Sequence, residues 1–97
     1  MNYRNKCLTD SAKHEACVSC GNPNACWCHS NKYRHGKGRG IKAHDIFGFY
    51  GCLKCHDWFD GRSKEQPPTT FYWENIDDWL MVMWERSMII ACSKGYL

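Results

Sequence analysis

The sequence predicts a small α+β domain that is organised by a metal site and ends in a long amphipathic helix. Three observations support this prediction. Two C-x-x-C motifs lie far apart in the chain, short aromatic segments near them have the composition of strands, and the last third repeats apolar residues at helical spacing. Because a chain of 97 residues buries only a modest core, we expect it to need reinforcement, and its eight cysteines can provide it.

We interpret residues 1–97 as a single domain with four segments that differ in composition. Residues 1–16 are polar and weakly patterned, which predicts a short N-terminal arm or one helical turn. Residues 17–61 hold six of the eight cysteines and seven of the eight glycines, which predicts a loop-rich core organised by metal. Residues 62–69 contain consecutive prolines and are predicted to be a linker, and residues 70–93 are predicted to be a helix.

Within the core, short patterns predict two strands and one helix. Residues 25–29 and 46–50 are short and aromatic enough to be strands. Residues 53–60 can form a short helix that is entered from Cys52.

The C-terminal helix is predicted from apolar residues that recur every three or four positions, namely Tyr72, Ile76, Trp79, Leu80, Met83, Trp84 and Met88. Thr69 or Thr70 can cap its start, and Glu74 falls near the capping-box position. A stripe of this kind faces a core or forms a dimer. Both remain open, so a homodimer through this helix is one expectation.

The two motifs Cys17-x-x-Cys20 and Cys52-x-x-Cys55 predict a structural zinc site. Two residues between thiolates allow a tight turn to present both sulfurs to one ion, and two such turns complete a tetrahedron. The motifs are separated by 31 residues, which is longer than in a single zinc finger, so a functional insertion is expected between them.

Two other interpretations of these cysteines are open. Cys52-x-x-Cys55-His56 also matches the attachment motif of a c-type haem, and clustered cysteines can form the disulfides of a secreted mini-protein. Residues 1–10 contain no apolar run of a secretory signal, so we expect a reducing, cytoplasmic location, which favours zinc over both. No segment approaches the roughly 20 apolar residues of a membrane span, so we expect no membrane partner.

Charge is unevenly distributed along the chain. Residues 1–44 carry eight basic and two acidic side chains, whereas residues 45–97 carry five basic and eight acidic ones. Five cations alternate with glycines in one segment, which we call the basic loop: Lys32, Arg34, Lys37, Arg39 and Lys42. Cations and backbone N–H groups in such a loop can approach phosphates, so we expect it to contact the backbone of a nucleic acid. A solvated, flexible hairpin is the alternative.

Residues 15–62 combine a cysteine pair, His29, a glycine-rich turn with lysines, and the run Cys52-x-x-Cys-His-Asp-x-x-Asp60. This arrangement resembles the HNH nucleases of the ββα-metal (His-Me finger) class, and more closely the small prophage-encoded nucleases of the YbcO-like family. The run from Cys52 to Arg62 is the most specific part of the resemblance. The implied fold is a zinc-stabilised ββα-metal core, and the implied function is metal-dependent cleavage of DNA phosphodiester bonds.

The resemblance also implies a role for each candidate site residue. His29 would be the general base, and Asp45 would stand in the place of the family's central Asn and orient that base. His56 and Asp60, four residues apart on one helix, would be ligands of a catalytic Mg²⁺ or Mn²⁺ ion. Cys28 stands where HNH enzymes usually have an Asp or His.

Two other function classes use the same features differently. A non-catalytic, zinc-ribbon-like module would bind nucleic acid with the zinc site and the basic loop but without a second metal. A phage interaction protein would use the C-terminal helix to bind a host factor. The first class predicts salt-dependent DNA binding without cleavage, and the second predicts no such binding.

Overall fold

The computed structural model describes residues 2–97 of the chain. They contain three α-helices and one two-stranded sheet. Two single turns of 3-10 helix lie between them, at Ala12–His14 and Tyr33–His35. In chain order the regular elements are α1 (Lys6–Ser11), β1 (Cys26–His29), β2 (Gly48–Gly51), α2 (Leu53–Phe59) and α3 (Ile76–Ser93).

Strands β1 and β2 pair antiparallel, and both faces of their sheet are buried. Cys28 lies opposite Phe49, and both face a core cluster formed with α2 and the first half of α3. Trp27 lies opposite Tyr50 with its ring centroid 4.9 Å away in an edge-to-face contact, and this pair faces α1 and the second half of α3. Two buried faces explain why the strand segments are rich in aromatic residues rather than alternating with polar ones.

Helix α2 follows β2 with a single residue between them, Cys52, which is its N-cap. The predicted helix over 53–60 ends one residue earlier, at Phe59, because the chain turns at Gly61 with a φ of +78°. Helical spacing places Cys55 and Phe59 in the core and places His56 and Asp60 together on the neighbouring face.

The prediction that the last helix begins at residue 70 is wrong, because α3 begins at Ile76. Its N-cap is Asn75, whose side chain accepts the Asp78 N–H at 2.9 Å, while Asp78 accepts the Glu74 N–H at 3.0 Å. Thr70 instead donates its N–H to the Ser19 carbonyl at 3.1 Å, so the segment before the helix is not helical. Neither Thr69 nor Thr70, the two predicted caps, is therefore the N-cap of α3.

The apolar stripe of α3 packs against the chain itself. Its buried apolar residues are Trp79, Leu80 and Met83, which belong to the first core cluster, and Ala91, which belongs to the second. Tyr72 of the predicted stripe lies before the helix and is exposed. A homodimer through α3 would have to use the apolar residues that remain exposed on it, Ile76, Met81 and Ile89, and stays a prediction. No helix within residues 2–97 has the length and apolar character that a bilayer-spanning segment requires.

The N-terminal segment is more ordered than a short arm or one helical turn. Asn5 caps α1 by accepting the Leu8 N–H at 3.1 Å, and Leu8 and Ala12 are buried in the core cluster around Tyr50. The Ser11 hydroxyl lies 2.7 Å from the Tyr50 hydroxyl inside that cluster. The buried side chains of this segment, Leu8, Ser11 and Ala12, are therefore part of the domain core.

Candidate metal centre and histidine cleft

The four cysteines of the two C-x-x-C motifs come together, as the sequence predicts. Their sulfurs all lie within 4.8 Å of one another. The Sγ–Sγ distances are 3.6 Å for Cys17 and Cys55, 3.6 Å for Cys20 and Cys52, and 4.0 Å for Cys20 and Cys55. A tetrahedral ion with Zn–S bonds of about 2.3 Å has sulfur–sulfur edges of about 3.8 Å, so the spacing fits such a site.

Backbone geometry explains why each motif presents two sulfurs. The first motif is a tight turn in which Gly21 donates to the Cys17 carbonyl at 2.9 Å, and Cys17 donates to the Asn22 carbonyl at 2.8 Å. Gly21 has a φ of +80°, a conformation that favours glycine. In the second motif Cys52 is the N-cap of α2 and Cys55 lies in its first turn, so the sheet and the helix fix both thiols.

The protonation chemistry of these sulfurs also suits a cation. All four cysteines are free of disulfides, and three of them are buried. The contact with Cys55 lowers the pKa of the Cys17 thiol to about 4, whereas the same contact and burial raise the pKa of Cys55. Like charges this close cannot all ionise without a counterion, so the cluster can hold a metal ion such as zinc. The cluster includes Cys52 and Cys55, the two thiols that attachment of a c-type haem would require.

The second feature is a paired histidine and aspartate at the end of β1. The Nε2 atom of His29 lies 2.8 Å from Oδ1 of Asp45, whose side chain is only 5% exposed. Asp45 is fixed in place from its backbone as well, because the indole N–H of Trp27 donates to its carbonyl oxygen at 2.9 Å. Gly48 makes room for this indole, since a Cβ there would lie 2.6 Å from Trp27 Nε1.

Asp45 is ionised in this environment. Burial opposes ionisation, but hydrogen bonds from His29 and from the Asn5 N–H, with the charge of Arg4, outweigh it and lower the pKa of Asp45. An ionised carboxylate only accepts hydrogen bonds, so the Nε2 atom of His29 carries the proton. In the neutral imidazole the other ring nitrogen, Nδ1, then holds the lone pair.

His29 opens into a cleft of about 240 Å³. Its walls include Asn31, Lys37, Lys42, His56 and Asp60. Among the described residues the Nδ1 atom of His29 has no hydrogen-bond partner, and it is not a fully buried atom. The lone pair is therefore available to a group that enters the cleft.

His56 and Asp60 also line the cleft and lie next to each other. Their Nε2 and Oδ2 atoms are 3.0 Å apart, the spacing of an i, i+4 pair on α2. Burial lowers the pKa of His56, which favours the neutral imidazole that can be a ligand. Asn31 donates to Asp60 at 3.4 Å, and Arg62 lies 3.3 Å from the same carboxylate. Within residues 2–97 only the cysteine cluster gathers three or more donors of this kind around one point.

The structure divides the basic loop into parts with different surroundings. Lys37 and Lys42 line the histidine cleft. Lys32 forms an ion pair with Asp77 of α3 at 2.6 Å, and Arg34 lines a separate, mainly apolar cavity of about 180 Å³ beside α3. Arg39 is exposed between the bridged residues Gly38 and Ile41. The two lysines in the cleft are therefore best placed to meet a phosphate there.

Two residues that no sequence pattern indicates, Arg4 and Asn5, both contact Asp45. Arg4 Nη1 donates to Oδ1 at 3.1 Å, and the Asn5 N–H donates to Oδ2 at 2.6 Å. No local pattern marks these residues, because they lie about 40 positions before their partner in a polar segment. Their contribution depends on tertiary contacts alone.

No protein-family model, curated protein or solved structure matches this chain.

Proposed function

We propose that this protein is a metal-dependent endonuclease of the HNH type, with a ββα-metal core, that hydrolyses phosphodiester bonds in DNA. The observation that carries the proposal is the paired His29 and Asp45 at a cleft that His56 and Asp60 also line. A general base held by a carboxylate, beside two ligand-type side chains, is an arrangement suited to hydrolysis.

His29 would act through its free Nδ1 atom. The lone pair accepts a proton from a water molecule as the water oxygen attacks phosphorus and the bond to the leaving 3′ oxygen breaks. The resulting imidazolium is stabilised by the Asp45 carboxylate at 2.8 Å. Lys37 and Lys42 would hold the phosphate at the mouth of the cleft through charge, without reading the base sequence.

His56 and Asp60 would hold the catalytic Mg²⁺ or Mn²⁺ ion, and water and phosphate oxygens would complete its coordination. When bound, such an ion supplies charge stabilisation at the phosphate and the leaving oxygen. The four-cysteine cluster has a different purpose in the proposal. A zinc ion held by these cysteines would join the turn before β1 to α2 and so restrict how His29 and His56 lie relative to each other.

Nicking of supercoiled plasmid DNA by the zinc-loaded protein tests the proposal. His29→Ala is expected to lower the rate by about 10²- to 10⁴-fold, the usual contribution of a positioned base, without loss of DNA binding. His14→Ala is the matched control, because His14 is exposed on the turn after α1 and lies outside the cleft. Equal nicking by the His29→Ala variant would show that the activity does not come from this site.

The metal requirement has its own matched pair on α2. Asp60→Asn is expected to abolish the nicking that added Mg²⁺ or Mn²⁺ stimulates. Asp57→Asn is expected to keep this metal-stimulated nicking, because Asp57 lines a different cavity. Metal is best varied by omission rather than by chelator, since a chelator also competes for the zinc. The same rate of plasmid nicking with and without the added ion would contradict the proposal that a second metal ion is required.

One observation favours a second candidate, the zinc-ribbon-like nucleic-acid-binding module. Within the described residues only two ligand-type side chains, His56 and Asp60, meet beside the cleft, and Arg62 already lies against Asp60. Such a module would bind DNA in a salt-dependent way through Lys37 and Lys42 and would not nick it with any metal. Binding with no cleavage by the native sequence would favour this candidate.

A further inference from the structure

Residues 2–5 make a concentrated set of contacts with the loop that carries Asp45. We infer that this segment completes the candidate active site, and that Arg4 and Asn5 are positioning residues that act on His29 through the Asp45 carboxylate. The catalytic consequences rest on the proposed function, but the effect on the His29 ring does not.

The contacts converge on Asp45 from three consecutive residues. Arg4 Nη1 donates to its Oδ1 at 3.1 Å, and the Asn5 N–H donates to its Oδ2 at 2.6 Å. The Asp45 N–H in turn donates to the Tyr3 carbonyl at 3.0 Å. Both carboxylate oxygens and the backbone of Asp45 are therefore held by the N-terminal segment, and His29 takes the remaining position on Oδ1.

The same segment also holds the backbone of the preceding loop. The second guanidinium nitrogen of Arg4 donates to the Lys42 carbonyl at 2.9 Å, and Arg4 Nη1 donates to the Ala43 carbonyl. Asn2 donates to the carbonyls of Gly36 at 2.7 Å and Lys42 at 2.8 Å. A loop with glycines at 36, 38 and 40 has much conformational freedom, so these contacts restrict where Lys37 and Lys42 lie.

The chemical consequence is the choice of tautomer on His29. A neutral imidazole places its proton on the nitrogen that faces an acceptor. Because Asp45 is fixed with Oδ1 at 2.8 Å from Nε2, the neutral ring holds its proton there and leaves the lone pair on Nδ1 of a residue that lines the cleft. A carboxylate that loses part of its support can rotate away, and an imidazole without its acceptor returns to a mixture of tautomers.

If Arg4 and Asp45 formed only an ordinary surface ion pair, loss of Arg4 would leave the tautomer of His29 unchanged. Arg4 is 45% exposed, and an exposed pair alone contributes little. Here one guanidinium joins the carboxylate to two loop carbonyls, so its loss would disturb the orientation of Asp45 as well as the charge around it. The tautomer of His29 distinguishes the two, because a merely stabilising ion pair would not change it.

Side-chain ¹⁵N NMR of the zinc-loaded, full-length protein tests the inference. The native sequence is expected to show His29 as the tautomer with the proton on Nε2. Arg4→Ala is expected to give a mixture of the two tautomers, and Arg4→Lys an intermediate result, because lysine keeps the charge but cannot reach all three acceptors. Lys6→Ala is the matched control, since it removes one positive charge two residues away that pairs with Asp10.

The same variants are then assayed for plasmid nicking. Arg4→Ala is expected to lower kcat by about 10- to 100-fold with little change in KM, as when a general base is only partly positioned. Native tautomer and native kcat in Arg4→Ala would overturn the inference. If Arg4→Ala does not fold, the Arg4→Lys spectrum decides, and an unchanged tautomer there would overturn it as well. A tautomer change in a protein whose native sequence nicks no DNA would keep the inference and refute the proposed function.

Discussion

Removal of the metal from the four-cysteine cluster is expected to cost this domain much of its stability. The ion would join Cys17 to Cys55, which are 38 positions apart in the chain. A cross-link that closes a loop of this length lowers the free energy of folding by about 4 kcal/mol through the entropy of the unfolded chain. A domain of this size has a total stability of about 5–15 kcal/mol, so the loss is a large fraction.

The expected change can be measured as a melting temperature. At about 4–8 °C per kcal/mol for a domain of up to 100 residues, loss of the cross-link lowers Tm by roughly 15–30 °C. The assay is thermal unfolding followed by circular dichroism, before and after treatment with a zinc chelator, with the metal content determined by elemental analysis. Replacement by Co²⁺ gives a second readout, because tetrahedral coordination by four thiolates has a characteristic visible absorption.

Two variants sharpen this test. Cys17→Ser is expected to reproduce most of the effect of the chelator, because it removes one ligand of the cluster. Cys92→Ser is the matched control, since Cys92 is exposed on α3 and outside the cluster. The reasoning would be refuted by protein that binds no metal in a one-to-one ratio, or by a metal-free form with an unchanged Tm.

Three other predictions follow from single contacts. Ser87→Ala removes a buried hydroxyl that accepts the Tyr50 N–H at 3.0 Å, so we expect a loss of about 1–3 kcal/mol in urea unfolding. Gly48→Ala places a Cβ 2.7 Å from the Cys28 carbonyl oxygen, and we expect a loss of about 1–3 kcal/mol by the same measurement. The hydrogen bond with Cys28 lowers the pKa of exposed Cys26 to about 7, so its alkylation, followed by mass spectrometry, is expected to accelerate as pH rises through 7.

Controls for these predictions lie in the same chain. Thr9→Ala removes a hydroxyl on the surface of α1, at a contact of 3.3 Å, and is expected to change stability by less than about 0.5 kcal/mol. Gly38→Ala meets its nearest neighbour at 3.5 Å, an ordinary contact, and should be tolerated. An equal loss of stability for Ser87→Ala and Thr9→Ala, or for Gly48→Ala and Gly38→Ala, would contradict the structural explanation. Faster alkylation of Cys7 than of Cys26 at neutral pH would contradict it as well.

Local patterns were sufficient to predict the elements that surround the candidate site. The two strands and α2 lie within about two residues of their predicted bounds. Short aromatic segments indicate the strands, and the entry from Cys52 indicates the start of the helix. The sequence predicts the start of α3 at residue 70, but it lies at Ile76, because the Asn75 side chain caps the helix there while the Thr70 N–H is bound to the Ser19 carbonyl. Propensity alone does not decide between caps a few residues apart.

The sequence by itself predicted that four thiols in two motifs form one cluster, because each motif can present both of its sulfurs to a single ion, and the structure brings the four together. Only the tertiary structure decided how the cleft is built. Arg4 and Asn5 reach Asp45 across about 40 residues, and Lys32 is turned away from the cleft to Asp77. Such contacts carry no local signal, because hydrogen bonds between distant segments depend on where folding brings the chain, which composition and periodicity do not record.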